Sequence, residues 1–206
     1  MPIVTAIKRQ KRVGSNRFNV FLDGSYSFTL SDLDLSMSGL REGQELSAAD
    51  VEQYGQKANE AKAYALALRY LGIRLRSRRE LADYLARKGC EIDETEAALE
   101  RLEGLGLVDD DVFAAAWIAD RMAVRPRSRI RLAQELGAKG VARDVVDRAL
   151  EELEPQREVE TLKALIERKR RTRGYADDKK LIAYLQRQGY RWSLIKEALE
   201  ESGESS

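Results

Sequence analysis

The stretch Arg76-Ser77-Arg78-Arg79-Glu80-Leu81-Ala82-Asp83-Tyr84-Leu85-Ala86-Arg87-Lys88-Gly89 opens a frame that this 206-residue chain uses three times. Leu81, Leu85 and Gly89 are spaced four and four, and Ala98-Leu99 follow nine and ten residues after the glycine. A shift of 51 returns Arg127-Ser128-Arg129, Leu132, Leu136, Gly140 and Ala149-Leu150. A further shift of 49 returns Leu181, Leu185, Gly189 and Ala198-Leu199. Apolar residues four apart share one helix face, and a glycine behind them stops the helix by adopting a left-handed backbone. The chain therefore reads as a triplicated helical unit of roughly 50 residues.

Each unit resolves into three helices. In the first, Ser77 and Glu80 form a capping box for a second helix that buries Leu81, Tyr84 and Leu85 and ends at Gly89. Asp93 and Glu96 give an acidic start to a third helix carrying Ala98, Leu99 and Leu102, which Gly104-Leu105-Gly106-Leu107 ends. The second unit opens at Asp109-Asp110-Asp111, carries Phe113 and Trp117 on its first helix, and closes at Pro155. The third places Leu162, Leu165 and Ile166, then Leu181 and Leu185, then Trp192, Ile195 and Leu199 on successive helices. Each unit has an apolar face that only a neighbour can cover, so the expected architecture is mainly α, an elongated, curved array of three tandem three-helix repeats.

Ahead of the repeats the pattern changes. Ile3–Ile7, Arg17–Leu22 and Tyr26–Leu30 are short β-favouring runs; Asp23-Gly24 is a hairpin turn and Gly14-Ser15-Asn16 serves the turn before it. Ser31–Met37 reads as a short covering helix, with Leu40 and Leu46 packing beneath the sheet. Ser47 with Asp50 caps one long helix from about Ala48 to Leu71, whose stripe is Val51, Tyr54, Ala58, Ala61, Ala65 and Leu68. The resulting division is a small N-terminal β-hairpin/α+β module over 1–46, a linking helix over 47–60, and repeats over 61–108, 109–155 and 156–206.

Composition excludes several function classes. Thirty-six basic and 35 acidic residues leave a net charge of +1, so no whole-molecule field attracts nucleic acid. Histidine is absent, which removes the commonest general base and metal ligand, and the single cysteine, Cys90, excludes an internal disulfide. There is no Gly-rich phosphate loop, and the acidic pairs Asp109-Asp110 and Asp177-Asp178 sit where helix N-caps belong. No run of about 18 apolar residues and no signal-peptide pattern occur. The expectation is a cytoplasmic monomer with no membrane association, no metal, no cofactor and no catalytic residues.

The remaining signal is segregated positive charge. Arg74, Arg76, Arg78 and Arg79 open the second helix of the first repeat; Arg125, Arg127, Arg129 and Arg131 do so in the second. Arg168, Lys169, Arg170, Arg171 and Arg173 occupy the first connection of the third, and Lys8, Arg9, Lys11 and Arg12 lie on the N-terminal hairpin. A solvated, salt-bridged face is the plain reading. Arginines at a helix N-terminus oppose its dipole, however, which favours the other reading: a discontinuous stripe for an acidic protein groove or a phosphate backbone. Few aromatics are interleaved with it, so base stacking is not indicated. Phe113 and Trp117, four apart, read as core.

These motifs resemble the RecX regulators of the bacterial RecA recombinase. The resemblance rests on Ala67-Leu68-Arg69-Tyr70-Leu71, on Arg76–Leu81 with Leu85 and Lys88-Gly89, on Gly106–Asp110 with Phe113-Ala114 and Trp117, and on Glu135-Leu136 with Lys139-Gly140. Arg17–Asp23 and Tyr26–Phe28 resemble the extension of longer members. The resemblance implies three tandem three-helix repeats. It also implies a protein that lies in the groove of RecA–DNA filaments and dampens ATP hydrolysis, strand exchange and the SOS co-protease activity. Some members of the family also bind DNA, so a DNA-binding helical-repeat protein stays open as the alternative. The third repeat departs from the internal pattern, with Arg173-Gly174-Tyr175 in place of Arg-Ser-Arg.

Overall fold

The computed structural model describes residues 1–11, 16–124, 127–175 and 177–203, without the side chains of residues 155, 173, 202 and 203. Three strands come first, β1 (Val4–Arg9), β2 (Arg17–Leu22) and β3 (Ser25–Ser31), followed by α1 (Asp32–Ser38) and α2 (Ala48–Leu71). Then come α3 (Arg78–Arg87), α4 (Ile92–Gly104), α5 (Asp110–Val124), α6 (Arg129–Ala138), α7 (Arg143–Glu151), α8 (Pro155–Arg170), a 3-10 turn at Arg173–Tyr175, α9 (Asp178–Arg187) and α10 (Trp192–Gly203). The protein is mainly helical, with tandem three-helix groups behind a small sheet. Two compact units divide it, one of residues 1–74 with 81–107 and one of residues 75–80 with 108–206.

In the first unit the strands pair antiparallel in the order β1-β2-β3. Asp23 and Gly24 both have positive φ, 48° and 80°, as a tight turn between right-twisted strands requires. Val20 pairs with Phe28 and Phe18 with Leu30, and one face of the sheet buries Val4, Val20, Leu22, Phe28 and Leu30. Leu40 and Leu46 are buried against that face, and Phe28 stacks on Tyr54 of α2 with ring centres 5.5 Å apart. Of the first turn only Asn16 lies among the described residues, and it holds the start of α1 by accepting from the Asp32 amide.

The long helix has the bounds that its cap and stripe predict, and Ser47 and Asp50 form a complete capping box. Hydrogen bonds from Ser47 hold the Asp50 carboxyl below the usual carboxylate range. The second half of the stripe differs from expectation: Ala63 and Ala67 are buried, whereas Leu68 is 37% exposed. The reason is a change of partner along the helix. Its first half faces the sheet and its second half faces α4, so the buried side rotates. Helix α4 starts just before the expected acids, at Ile92, with Glu94 accepting from the Glu91 amide.

In the second unit, Phe113, Ile118, Leu132, Leu136, Val145, Val146 and Leu150 form the core of α5–α7, and Leu162, Ile166, Leu181, Leu185 and Ile195 that of α8–α10. All three second helices end alike. Gly89, Gly140 and Gly189 have φ of 75°, 79° and 87°. The amide after each glycine turns back to the carbonyl of Leu85, Leu136 or Leu185 at 3.1, 3.2 and 3.2 Å, closing the helix end. That closure buries Cys90, Val141 and Tyr190 as its apolar plug. Burial pushes the Cys90 thiol up, which favours its protonated form.

The glycines are not equivalent to substitution. A methyl group at Gly89 meets nothing, whereas one at Gly140 overlaps Cβ, Cγ and Cδ of Arg79. Gly89→Ala is expected to cost about 1–2 kcal/mol for its backbone alone. Gly140→Ala is expected to cost more, by about 1–3 kcal/mol of overpacking. Urea unfolding of the two variants checks the order.

Candidate partner-binding surface

The Arg-Ser-Arg motif has a structural job before any other. Ser77 and Ser128 are fully buried. Each hydroxyl oxygen accepts from an amide of the helix it opens, Glu80 N at 3.1 Å and Arg131 N at 3.2 Å. Each hydroxyl hydrogen is donated to the carbonyl at the end of another second helix, Ser77 to Lys139 O at 2.6 Å and Ser128 to Gln188 O at 2.7 Å. A hydroxyl is both donor and acceptor, so one small side chain satisfies two helix ends. The next amide is used in the same way: Arg78 N donates to Asp110 and Arg129 N to Glu158, both at 2.9 Å. Burial pushes the Asp110 carboxyl up against the opposing pull of the Arg78 amide and charge.

This junction accounts for the odd third repeat. Asp177 stands where Ser77 and Ser128 stand, and it caps α9 by accepting from Lys179 N at 2.9 Å. A carboxylate has no hydrogen to pass on, so no equivalent bond leads out of the third repeat.

The seventeen basic candidates differ in what they do. Arg79 lays its stem over Gly140. Arg129, half-buried, donates to Leu153 O and lies 3.6 Å from Glu158. Arg76 and Arg78 are half-buried, and Arg74 is exposed. Arg127 and Arg131 each approach Glu135 at 3.8 Å, Arg131 from an exposed position. In the third repeat Lys169 sits over Tyr175 and Tyr184, 4.8 and 4.4 Å from the ring centres, and Arg170 pairs with Asp178 at 3.4 Å. Arg168 and Arg171 are exposed. On β1, Lys8 lies 5.3 Å over Phe21, Arg9 donates to Asn16, and Lys11 behind the strand is exposed. Arg12 and Arg125, and the side chain of Arg173, lie outside the described residues.

One cluster was not singled out from the sequence. Glu135, only 19% exposed, accepts from the Trp117 indole at 3.3 Å and from Arg121 Nε at 3.0 Å, and it gathers Arg127 and Arg131 as well. The Arg121 guanidinium lies 4.0 Å from the Trp117 ring centre, and Lys139, bonded to Glu80 at 2.6 Å, is 5.2 Å from it. Phe113 is core as its spacing predicts, but Trp117 is only half-buried. The i,i+4 pairs Trp117/Arg121 and Arg131/Glu135 were visible in the sequence. That they converge depends on how α5 packs on α6. Among the described residues no group of three or more acids, cysteines or histidines is placed to hold a metal, and no helix is long and apolar enough to cross a membrane.

Comparison with known proteins places these elements. Residues 63–102 match the family model described as the first three-helix domain of RecX, and residues 109–150 match its second. Residues 2–47 match the N-terminal domain of the regulatory protein RecX. The chain is 34% identical to the regulatory protein RecX of Lactobacillus johnsonii over 81% of its own length, spanning 60% of that protein. It is 32% identical to that of Halalkalibacterium halodurans over 98% of its length and 78% of the relative's. A crystal structure of regulatory protein RecX superposes with a TM-score of 0.74 at 26% identity, covering 96% of this chain and all of that one.

Two outcomes test the junction. Ser128→Ala removes a cap and strands the part-buried Gln188 carbonyl, so it should cost about 2–4 kcal/mol, against about 1 kcal/mol for Ser47→Ala, whose second bond goes to a carboxyl that still accepts from the Ser47 amide. Asp110 has a raised folded value, so its stabilising contribution is present at low pH and falls as pH rises through that value. Asp110→Asn keeps the acceptor, and its stability relative to the parent should therefore rise from pH 3 to pH 7 in urea titrations.

Proposed function

From the membership of this chain in the RecX family of regulatory proteins, we propose that it is a non-enzymatic regulator of the RecA recombinase. It binds RecA–DNA filaments and inhibits ATP hydrolysis, strand exchange and SOS co-protease activity. The observation that carries this reading is the family match, which takes in the N-terminal module and the first two three-helix groups in chain order. The protein acts in the cytoplasm as a monomer with no cofactor, and it divides functionally into the module 1–46, the linking helix 47–60 and the repeats 61–108, 109–155 and 156–206.

Contact with the filament is made by the basic residues. Arg129, held by Leu153 O and Glu158, is the poorer candidate, because a side chain held by its own fold gives up that bond to make another. Arg131, Arg168, Arg171 and Lys11 are exposed and can meet carboxylates or phosphates with little rearrangement. Exposed charges of this kind chiefly set association rate and salt dependence.

Purified protein should lower RecA ATP hydrolysis at fixed excess single-stranded DNA. Arg131→Glu with Arg171→Glu should raise the concentration needed for half-inhibition by roughly tenfold, about 1.4 kcal/mol, with helical content unchanged. Unchanged inhibition by the double variant removes these residues from the interface. Inhibition that disappears as DNA is added in excess instead identifies a DNA-binding protein that competes for the strand.

A further inference from the structure

Helix α5 and the end of α6 border an open cavity of about 610 Å3. Trp117, Val124 and Ala138 supply its apolar walls, and its charged lining is Arg121, Arg127, Lys139 and Glu135, three cations to one carboxylate. That carboxylate is already engaged by Trp117 and Arg121, and Lys139 is held by Glu80. Arg127 differs. Its Nε is buried and makes no hydrogen bond, with Glu135 Oε1 at 3.8 Å, beyond hydrogen-bond reach. The Nε itself is closed to solvent, but the side chain as a whole is 32% exposed and only loosely paired, so its guanidinium can turn to an anion that enters the cavity.

We propose that the cavity is a docking site for an acidic segment of the protein partner. One carboxylate of that segment accepts from the Arg127 guanidinium, and an adjacent apolar side chain rests against Val124, Ala138 and the edge of the Trp117 ring. The proposal rests on the regulator reading above, with RecA as the protein that supplies the segment. The charge imbalance selects an anion, and a tryptophan and arginines around a recess are the residue types that dominate binding energy at protein interfaces. Nucleic acid suits the site less well. The Arg121 guanidinium already covers the Trp117 ring at 4.0 Å, where a stacked base would need the ring face, and the cations converge on one recess where a strand needs a row.

The test uses the full chain in a Trp192→Phe background, which leaves Trp117 as the reporter. Ala138→Glu and Val124→Glu each place a carboxylate in the cavity from an exposed position on a different helix. The probes are RecA filaments on oligo(dT) held by a non-hydrolysable ATP analogue, and the same oligonucleotide without RecA. The parent should change its Trp117 emission on adding filaments. Both glutamate variants should bind filaments roughly tenfold or more weakly with unchanged thermal unfolding, while Ala138→Ser binds as the parent does. Parental affinity in both glutamate variants overturns the proposal. So does an equal loss of binding to the bare oligonucleotide, which assigns the cavity to nucleic acid. A parent that does not bind filaments at all overturns the regulator reading first, and the docking site with it.

Discussion

A serine hydroxyl, buried and bonded in two directions, is the contact on which the second unit depends. A helix start lacks partners for its amides and a helix end lacks partners for its carbonyls. Placing one hydroxyl between a start and an end satisfies both with a single small side chain. The requirement is strict: the residue must donate as well as accept, must be small enough to be buried, and must face a backbone that comes close. The left-handed glycines Gly140 and Gly189 meet the last condition. Arg79 fills the space above Gly140, and Ser128 with Ile130 fills that above Gly189.

Seen from that contact, the basic clusters have two origins. Arg79 and Arg129 flank the serines because their long stems and forked donors cover the glycine and reach a carbonyl and a carboxylate. Arg168 and Arg171 stand toward solvent, and Arg131, though it approaches Glu135, is exposed as well. A positive charge at a helix start, unfavourable to the dipole, is tolerated in the first group because the neighbouring acids Asp110 and Glu158 receive the very amides that create that dipole.

The fold was legible because it follows from short-range chemistry repeated in frame. Leucines four apart, a glycine after them, and Ser47 ahead of Asp50 fix helix faces and ends locally, and the observed bounds of α2, β2 and the Asp23-Gly24 turn follow from them. What was not legible depends on packing direction. Leu68 and Ala67 are adjacent, and only the position of α4 decides that the smaller one is buried. Likewise, Ser77 reads as an N-cap from its distance to Glu80, yet its second bond goes to Lys139, sixty-two residues away. The Glu135 cluster was hidden for the same reason. Its members look like ordinary i,i+4 pairs on separate helices until α5 and α6 are laid together.

The exchange of serine for Asp177 has a consequence for how chains of this type change length. Duplication of the α5–α7 unit would yield a copy that carries its own Ser128 and its own receiving carbonyl at Lys139, so an inserted copy brings both halves of the joint. A copy appended behind α10 would meet a carboxylate where the joint needs a hydroxyl. An interior copy therefore keeps this bond, and a copy behind α10 lacks it.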